Sequence, residues 1–106
     1  MIAFDPNGPI ISVASNAGAQ ITSGDNVNNN MAMLTNIDTT NDAIVGWGQT
    51  QGAATQAAQN STISINCFYL LHNSQAAVVM PTGSFVFVAP VAGTPTIKMQ
   101  AGISIR

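Results

Sequence analysis

Short apolar runs, broken at close intervals by Gly, Pro, Asn and Asp, constrain this chain more than any other feature. Runs rich in β-branched and aromatic residues fall at 10–14, 19–22, 31–36, 43–47, 61–71, 77–80, 84–88, 96–100 and 103–106. Such runs bounded by turn residues read as strands. About seven to nine short strands in a chain of this length suit a sandwich or jelly roll. The expected fold class is therefore all-β, a single-domain antiparallel β-sandwich or jelly roll over residues 1–106.

Alternation within the runs supplies the faces. Ile63, Ile65 and Cys67 point one way and Ser64 and Asn66 the other, as one buried face requires. Ile97, Met99 and Ala101 oppose Lys98 and Gln100, and Ile103 and Ile105 continue the period. Phe85 and Phe87 alternate with Val86 and Val88, so that strand is apolar on both faces and is expected to be central. Asn7-Gly8-Pro9, Pro81-Thr82-Gly83 and Asp38-Thr39-Thr40-Asn41-Asp42 carry turn chemistry. Residues 1–9 read as a short N-terminal arm. Residues 48–60, rich in Gln and Ala, lack an apolar stripe wide enough to dock a helix and are expected to form a projecting loop, with a single helical turn as the lesser alternative.

Charge is nearly absent. Asp5, Asp25, Asp38, Asp42, Lys98 and Arg106 are the only Asp, Glu, Lys or Arg residues, 6% of the chain, against about 25% in an ordinary domain. Monomeric β proteins guard edge strands with Lys and keep a charged surface. This chain does neither, and its surface reads as one built to be covered. Two basic residues cannot form a phosphate-binding stripe, so nucleic acid is not an expected partner. No run approaches the roughly 18–20 apolar residues that span a bilayer, and a membrane is not expected either. The start, MIAFDPNGPI, has no basic region ahead of an apolar one, so it does not read as a secretory signal and synthesis and folding in the cytosol are expected.

The search for chemistry returns little. Cys67 is the single cysteine and reads as a buried small hydrophobe, which leaves no disulfide and no thiolate cluster. His72 is the single imidazole, with no second His and no Glu to make it a metal ligand or general base, and reads as a structural residue at a strand end. Asp38 and Asp42 could be weighed as a carboxylate pair, but turn chemistry accounts for both. A calcium site would draw on Asp25, Asp38 and Asp42, without the spacing of an EF-hand. No catalytic, metal or cofactor site is assigned, and the chain is not expected to be an enzyme. Trp47 lies between Gly46 and Gly48. It reads first as a core residue closing one end of the sandwich and second as an exposed stacking platform. The flanking glycines would let another backbone approach closely. Phe4, Trp47, Gln49, Gln51 and Gln56 are the expected partner-contact residues.

Two stretches carry a resemblance. Leu34-Thr35-Asn36-Ile37, then Ala43-Ile44-Val45-Gly46-Trp47-Gly48 with its Gln/Ala-rich sequel, is similar to a pattern in small virion proteins of tailed bacteriophages. So is Met80-Pro81-Thr82-Gly83-Ser84-Phe85-Val86-Phe87-Val88-Ala89-Pro90, with Gly102-Ile103-Ser104-Ile105 after it. The resemblance implies a capsid cement, or decoration, protein: a sandwich or jelly-roll subunit that pairs with itself as dimer or trimer over junctions between capsid subunits of the virion. It carries no catalytic residue and no cofactor across. The alternative is a carbohydrate-binding or adhesin-like domain, such as a tail component, with Trp47 or Tyr69 as its platform.

Overall fold

The computed structural model describes residues 3–21, 31–59, 66–80 and 83–105. Among these residues, eight strands and one helix follow in the order β1 (Ala3–Val13), β2 (Ala17–Gln20), β3 (Met31–Asn36), β4 (Ala43–Gly48), α1 (Gln51–Gln59), β5 (Cys67–Leu70), β6 (Ser74–Val79), β7 (Phe85–Pro90) and β8 (Ile97–Ile105). Antiparallel pairing joins β1 to β8, β2 to β7, β3 to β6 and β4 to β5. The chain is thus one long hairpin laid back on itself. Pairing of β3 with β8 and of β4 with β7 then rolls that hairpin into two four-stranded sheets, ordered β1-β8-β3-β6 and β2-β7-β4-β5. This is the eight-stranded jelly roll, the all-β sandwich that the spacing of the runs predicts.

The alternating residues fill the space between the sheets. Leu34 of β3, Ile97 and Met99 of β8, Val45 of β4 and Val86 and Val88 of β7 are fully buried in one cluster with Val13 and Leu70. Burying each such side chain contributes roughly 1.5–3 kcal/mol against leaving it in water. Asn16 and Asn73 take left-handed backbone angles (φ 59° and 51°) at the turns after β1 and β5, a conformation Asn tolerates better than most residues. As its two apolar faces predict, β7 is central, between β2 and β4.

Four local expectations are corrected. The segment expected to project as a loop over residues 48–60 does not do so in its described part, because 51–59 form α1. Thr50 caps its start, with Oγ1 accepting the Ala53 N–H at 3.1 Å. A narrow stripe of Ala54, Ala57 and Ala58 buries the helix against the outer face of the second sheet, where Phe85 and Phe87 of β7 meet Ala54 and Ala58. It docks without large side chains because Gly46 of β4 has none. A Cβ at that position would lie 2.3 Å from the Ala58 nitrogen and 2.6 Å from the Ala54 carbonyl oxygen. The backbone that the glycines beside Trp47 admit is the chain's own.

Residues 3–9 are not an arm but the first part of β1, whose register with β8 shifts between Pro6 and Ile10. Proline is tolerated there because β1 is an edge strand. The two runs expected at 96–100 and from 103 onward are joined through residue 105 in the single strand β8 (Ile97–Ile105), with Gly102 inside it opposite Met31. Cys67 is half-buried rather than buried, since β5 lies at a sheet edge.

Candidate functional site

With α1 over the second sheet, the outer face of the first sheet is the one that no described helix covers. Its side chains stand in rows set by the register. One row runs Ser12, Lys98, Thr35, Gln75 and the next Ile10, Gln100, Met33, Ala77. A third pairs Gly102, Met31 and Val79. The first row is polar and internally bonded: Lys98 Nζ donates to Ser12 Oγ at 2.7 Å and Gln75 Nε2 to Thr35 Oγ1 at 3.0 Å. The Gln100 amide donates to the Gly8 carbonyl at 2.9 Å, out over the register shift in β1.

What remains outward is mostly apolar or neutral. Ile10 is 66% and Val79 70% exposed. A shallow hollow of about 130 Å³ lies between the first two rows, lined by Ile10, Met33, Thr35, Gln75, Lys98 and Gln100. Lys98 is the single ionic side chain in these rows, and no carboxylate among the described residues pairs with it. A face of this make-up costs little to dehydrate against another protein, because few full charges have to leave water.

A second cluster ties one corner of the roll. Pairing of β4 with β5 sets Ile44 against Tyr69 and Ala43 against Leu70, which brings Asp42 beside His72 across 30 residues of sequence. The Asp42 carboxylate accepts from His72 Nδ1 at 2.7 Å, from the His72 backbone N–H at 2.8 Å and from the Tyr69 hydroxyl at 2.9 Å. The neighbouring Asp38 is taken up by its own turn, with Oδ1 accepting the backbone N–H groups of Thr40 and Asn41 at 2.9 and 2.8 Å. Both aspartates are thus engaged by turn and corner chemistry, while Asp25 lies outside the described residues. No group of three potential metal ligands forms among the described residues.

An imidazole oriented by a carboxylate is one part of a nucleophile-activating triad. Here no described hydroxyl donates to the other ring nitrogen, and His72 and Tyr69 stand half-exposed on the corner. What this arrangement does is fasten the β5–β6 turn to the β3–β4 connection, a link reinforced by the Asn73 N–H on the Asp38 carbonyl at 2.8 Å.

These donors set the acid behaviour. The His72 ring bond first, then the His72 N–H and the Tyr69 hydroxyl, hold Asp42 below its ordinary value of 3.8. The backbone N–H groups of Thr40 and then Asn41 do the same for Asp38. Donation to Asp42 pushes the Tyr69 phenol up. For a carboxylate lowered in the folded state, the added stability is complete above the unfolded value and is lost as pH falls through the folded one. The thermal midpoint is therefore expected to fall as pH is taken from about 5 to about 2, and Asp42→Asn should flatten that fall. A wild-type midpoint that stays level through this range would refute the assignment.

The expected partner-contact residues do not gather in one patch. Trp47 is half-buried with its neighbours in the main core cluster, on the inner side of β4. Gln51 lies at the start of α1 and donates to the Val86 carbonyl at 2.9 Å. Gln49 and Gln56 are exposed on the α1 side of the roll. Phe4 lies on β1 opposite Ser104, with its side chain outside the described residues. The outward residues of β3 and β6 were not singled out in the sequence. The signal was present in Gln75-Ala76-Ala77-Val78-Val79, an uncharged run with no breaker. No family model, curated protein or solved structure matches this chain.

Proposed function

We propose that the chain is a non-catalytic structural subunit of a virus particle, a cement protein that binds itself and the capsid subunits beneath it. The observation that carries this reading is the outer face of the first sheet, with Ile10 and Val79 largely exposed and Lys98 the one ionic side chain of the three described rows. Viral capsid domains are among the proteins that use the jelly roll, and the resemblance of the two quoted stretches to small phage virion proteins points the same way. Fold-level analogy of this kind raises the expectation without fixing the partner. Many weak contacts of a neutral face become firm when an oligomer engages several at once.

The test is co-sedimentation of purified protein with phage capsids stripped of decoration, at low and high salt. A neutral interface should hold with little salt dependence, whereas a charge-steered one would weaken steeply. Absence of binding to any capsid tested, together with a protein that stays monomeric when concentrated, sinks the reading.

The glycan-binding alternative keeps one observation. The Tyr69 ring is 50% exposed beside the Asp42 carboxylate, a pairing of aromatic face and acceptor that could seat a sugar, while the half-burial of Trp47 against the core withdraws it as a platform. Glycan-array binding that is abolished by Tyr69→Ala would favour this alternative.

A further inference from the structure

Among the described residues, the free edges of the two sheets differ sharply. An edge strand offers a row of unpaired N–H and C=O groups, and natural edges are blunted by Lys, Pro, bulges or brevity. At one edge, β1 carries Pro6 and Pro9 and a register shift. On the second sheet, β2 and β5 have only four residues each. The remaining edge, β6, has six residues paired with β3 without a shift from Asn36↔Ser74 to Met31↔Val79. It contains no Pro, Gly or charged side chain, and its outward residues Gln75, Ala77 and Val79 are exposed.

We propose that β6 pairs antiparallel with β6 of a second copy about a twofold axis normal to the sheet. The two first sheets then become one continuous sheet of eight strands. This rests on the subunit reading above and names where one copy meets the next. A second copy fits better than an unrelated strand for three reasons. In a twofold contact the same strand lies on both sides and the residue at the axis meets itself, so a charged strand would bring like charges together, and β6 has none. The contact closes on itself and uses up both open edges, where a head-to-tail addition would always leave one exposed.

The third reason is register. Outward side chains must oppose outward ones, because a slip of one residue turns every side chain to the other face. The axis must therefore pass through a residue rather than between two, which leaves Ala76 or Ala77 as its central positions. Centred on Ala77, Val79 of each copy stands opposite Gln75 of the other and Ala76 opposite Val78. Centred on Ala76, Val79 would fall beyond the paired segment and stay bare. The Ala77 register buries the most exposed apolar side chain of the edge, and two methyl groups meet at the axis without conflict.

Opposed Cα atoms in an antiparallel pair lie about 4.5–5.5 Å apart, within the roughly 4.4–6.8 Å that a disulfide spans. In a Cys67→Ser background, Ala77→Cys is expected to form a covalent dimer on mild oxidation, while Gln75→Cys, four residues from its own copy across the axis, should not. Sedimentation should find the wild type dimeric. Ala77→Lys, which brings two ammonium groups together at the axis, should weaken dimerisation at least about a hundredfold with unchanged circular dichroism. A wild type monomeric at millimolar concentration overturns the proposal. So does a dimer that survives in folded Ala77→Lys and fails to cross-link through position 77, although that result leaves the capsid-binding reading standing. If Ala77→Lys does not fold, the cross-linking pair decides.

Discussion

Gly46→Ala is expected to cost about 1–3 kcal/mol, the usual penalty for overfilling a packed site, and to loosen α1 from β4. The added methyl group would lie 2.3 Å from the Ala58 nitrogen and 2.6 Å from the Ala54 oxygen. Both are backbone atoms of the helix, so no side chain can swing aside and the helix itself must move. In a domain of this size each kcal/mol lowers the thermal midpoint by roughly 4–8 °C. Fluorescence of the adjacent Trp47 reports the displacement locally. Gly52→Ala, on the same helix, is the comparison. A Cβ there meets nothing within 4 Å, and removing a helical glycine should stabilise by about 0.5–1 kcal/mol. If both substitutions shift the midpoint in the same direction, α1 does not dock through Gly46.

Asn36→Leu is expected to lower stability by about 1–3 kcal/mol, although the new side chain is similar in size and apolar. Asn36 is 1% exposed at the end of β3. Its Nδ2 donates to the Asn41 carbonyl at 3.0 Å, with a longer approach of 3.5 Å to the Leu70 carbonyl. Its Oδ1 accepts the Asp38 N–H at 3.0 Å. One amide therefore closes the β3–β4 connection and leans on β5. Leucine would strand the Asp38 donor and the Asn41 acceptor, and an unmet buried polar group costs more than a hydrogen bond gains. Urea titration should give a lower midpoint with an unchanged slope. An unchanged midpoint would mean that water satisfies those groups and that Asn36 is a spacer.

The sheets were legible because their signal has period two. Val86 and Val88 against Phe85 and Phe87, or Ile97 and Met99 against Lys98 and Gln100, declare two faces and a central position without reference to the rest of the chain. The helix was not legible for a matching reason. Its buried stripe is alanine, too small to register as an apolar face, and its docking depends on an absence, the missing side chain at Gly46 on another element. The Asp42–His72 contact lay out of reach because it is made by pairing β4 with β5, and spacing along the chain says nothing about it. The turn reading of Asn7-Gly8-Pro9 misled in the other direction, because an edge strand can spare the donor that proline lacks. The outer face of the first sheet was foreshadowed only as a general shortage of charge, and the place where that shortage matters emerges with the register of β3, β6 and β8.

The rolled hairpin has a kinetic consequence. Its segments mate in nested order, with β4 beside β5 at the bend and β1 beside β8 outermost, where Gln100 reaches Gly8 across 92 residues. Each outer pair has to close a larger loop than the pair inside it. Assembly thus favours starting near the bend and finishing at β1 and β8, in the milliseconds-to-seconds range typical of all-β domains with distant partners. Until that last pairing is made, the first sheet lacks β1 and β8 is itself a bare border, so the newly made chain is most open to wrong neighbours just before it is complete.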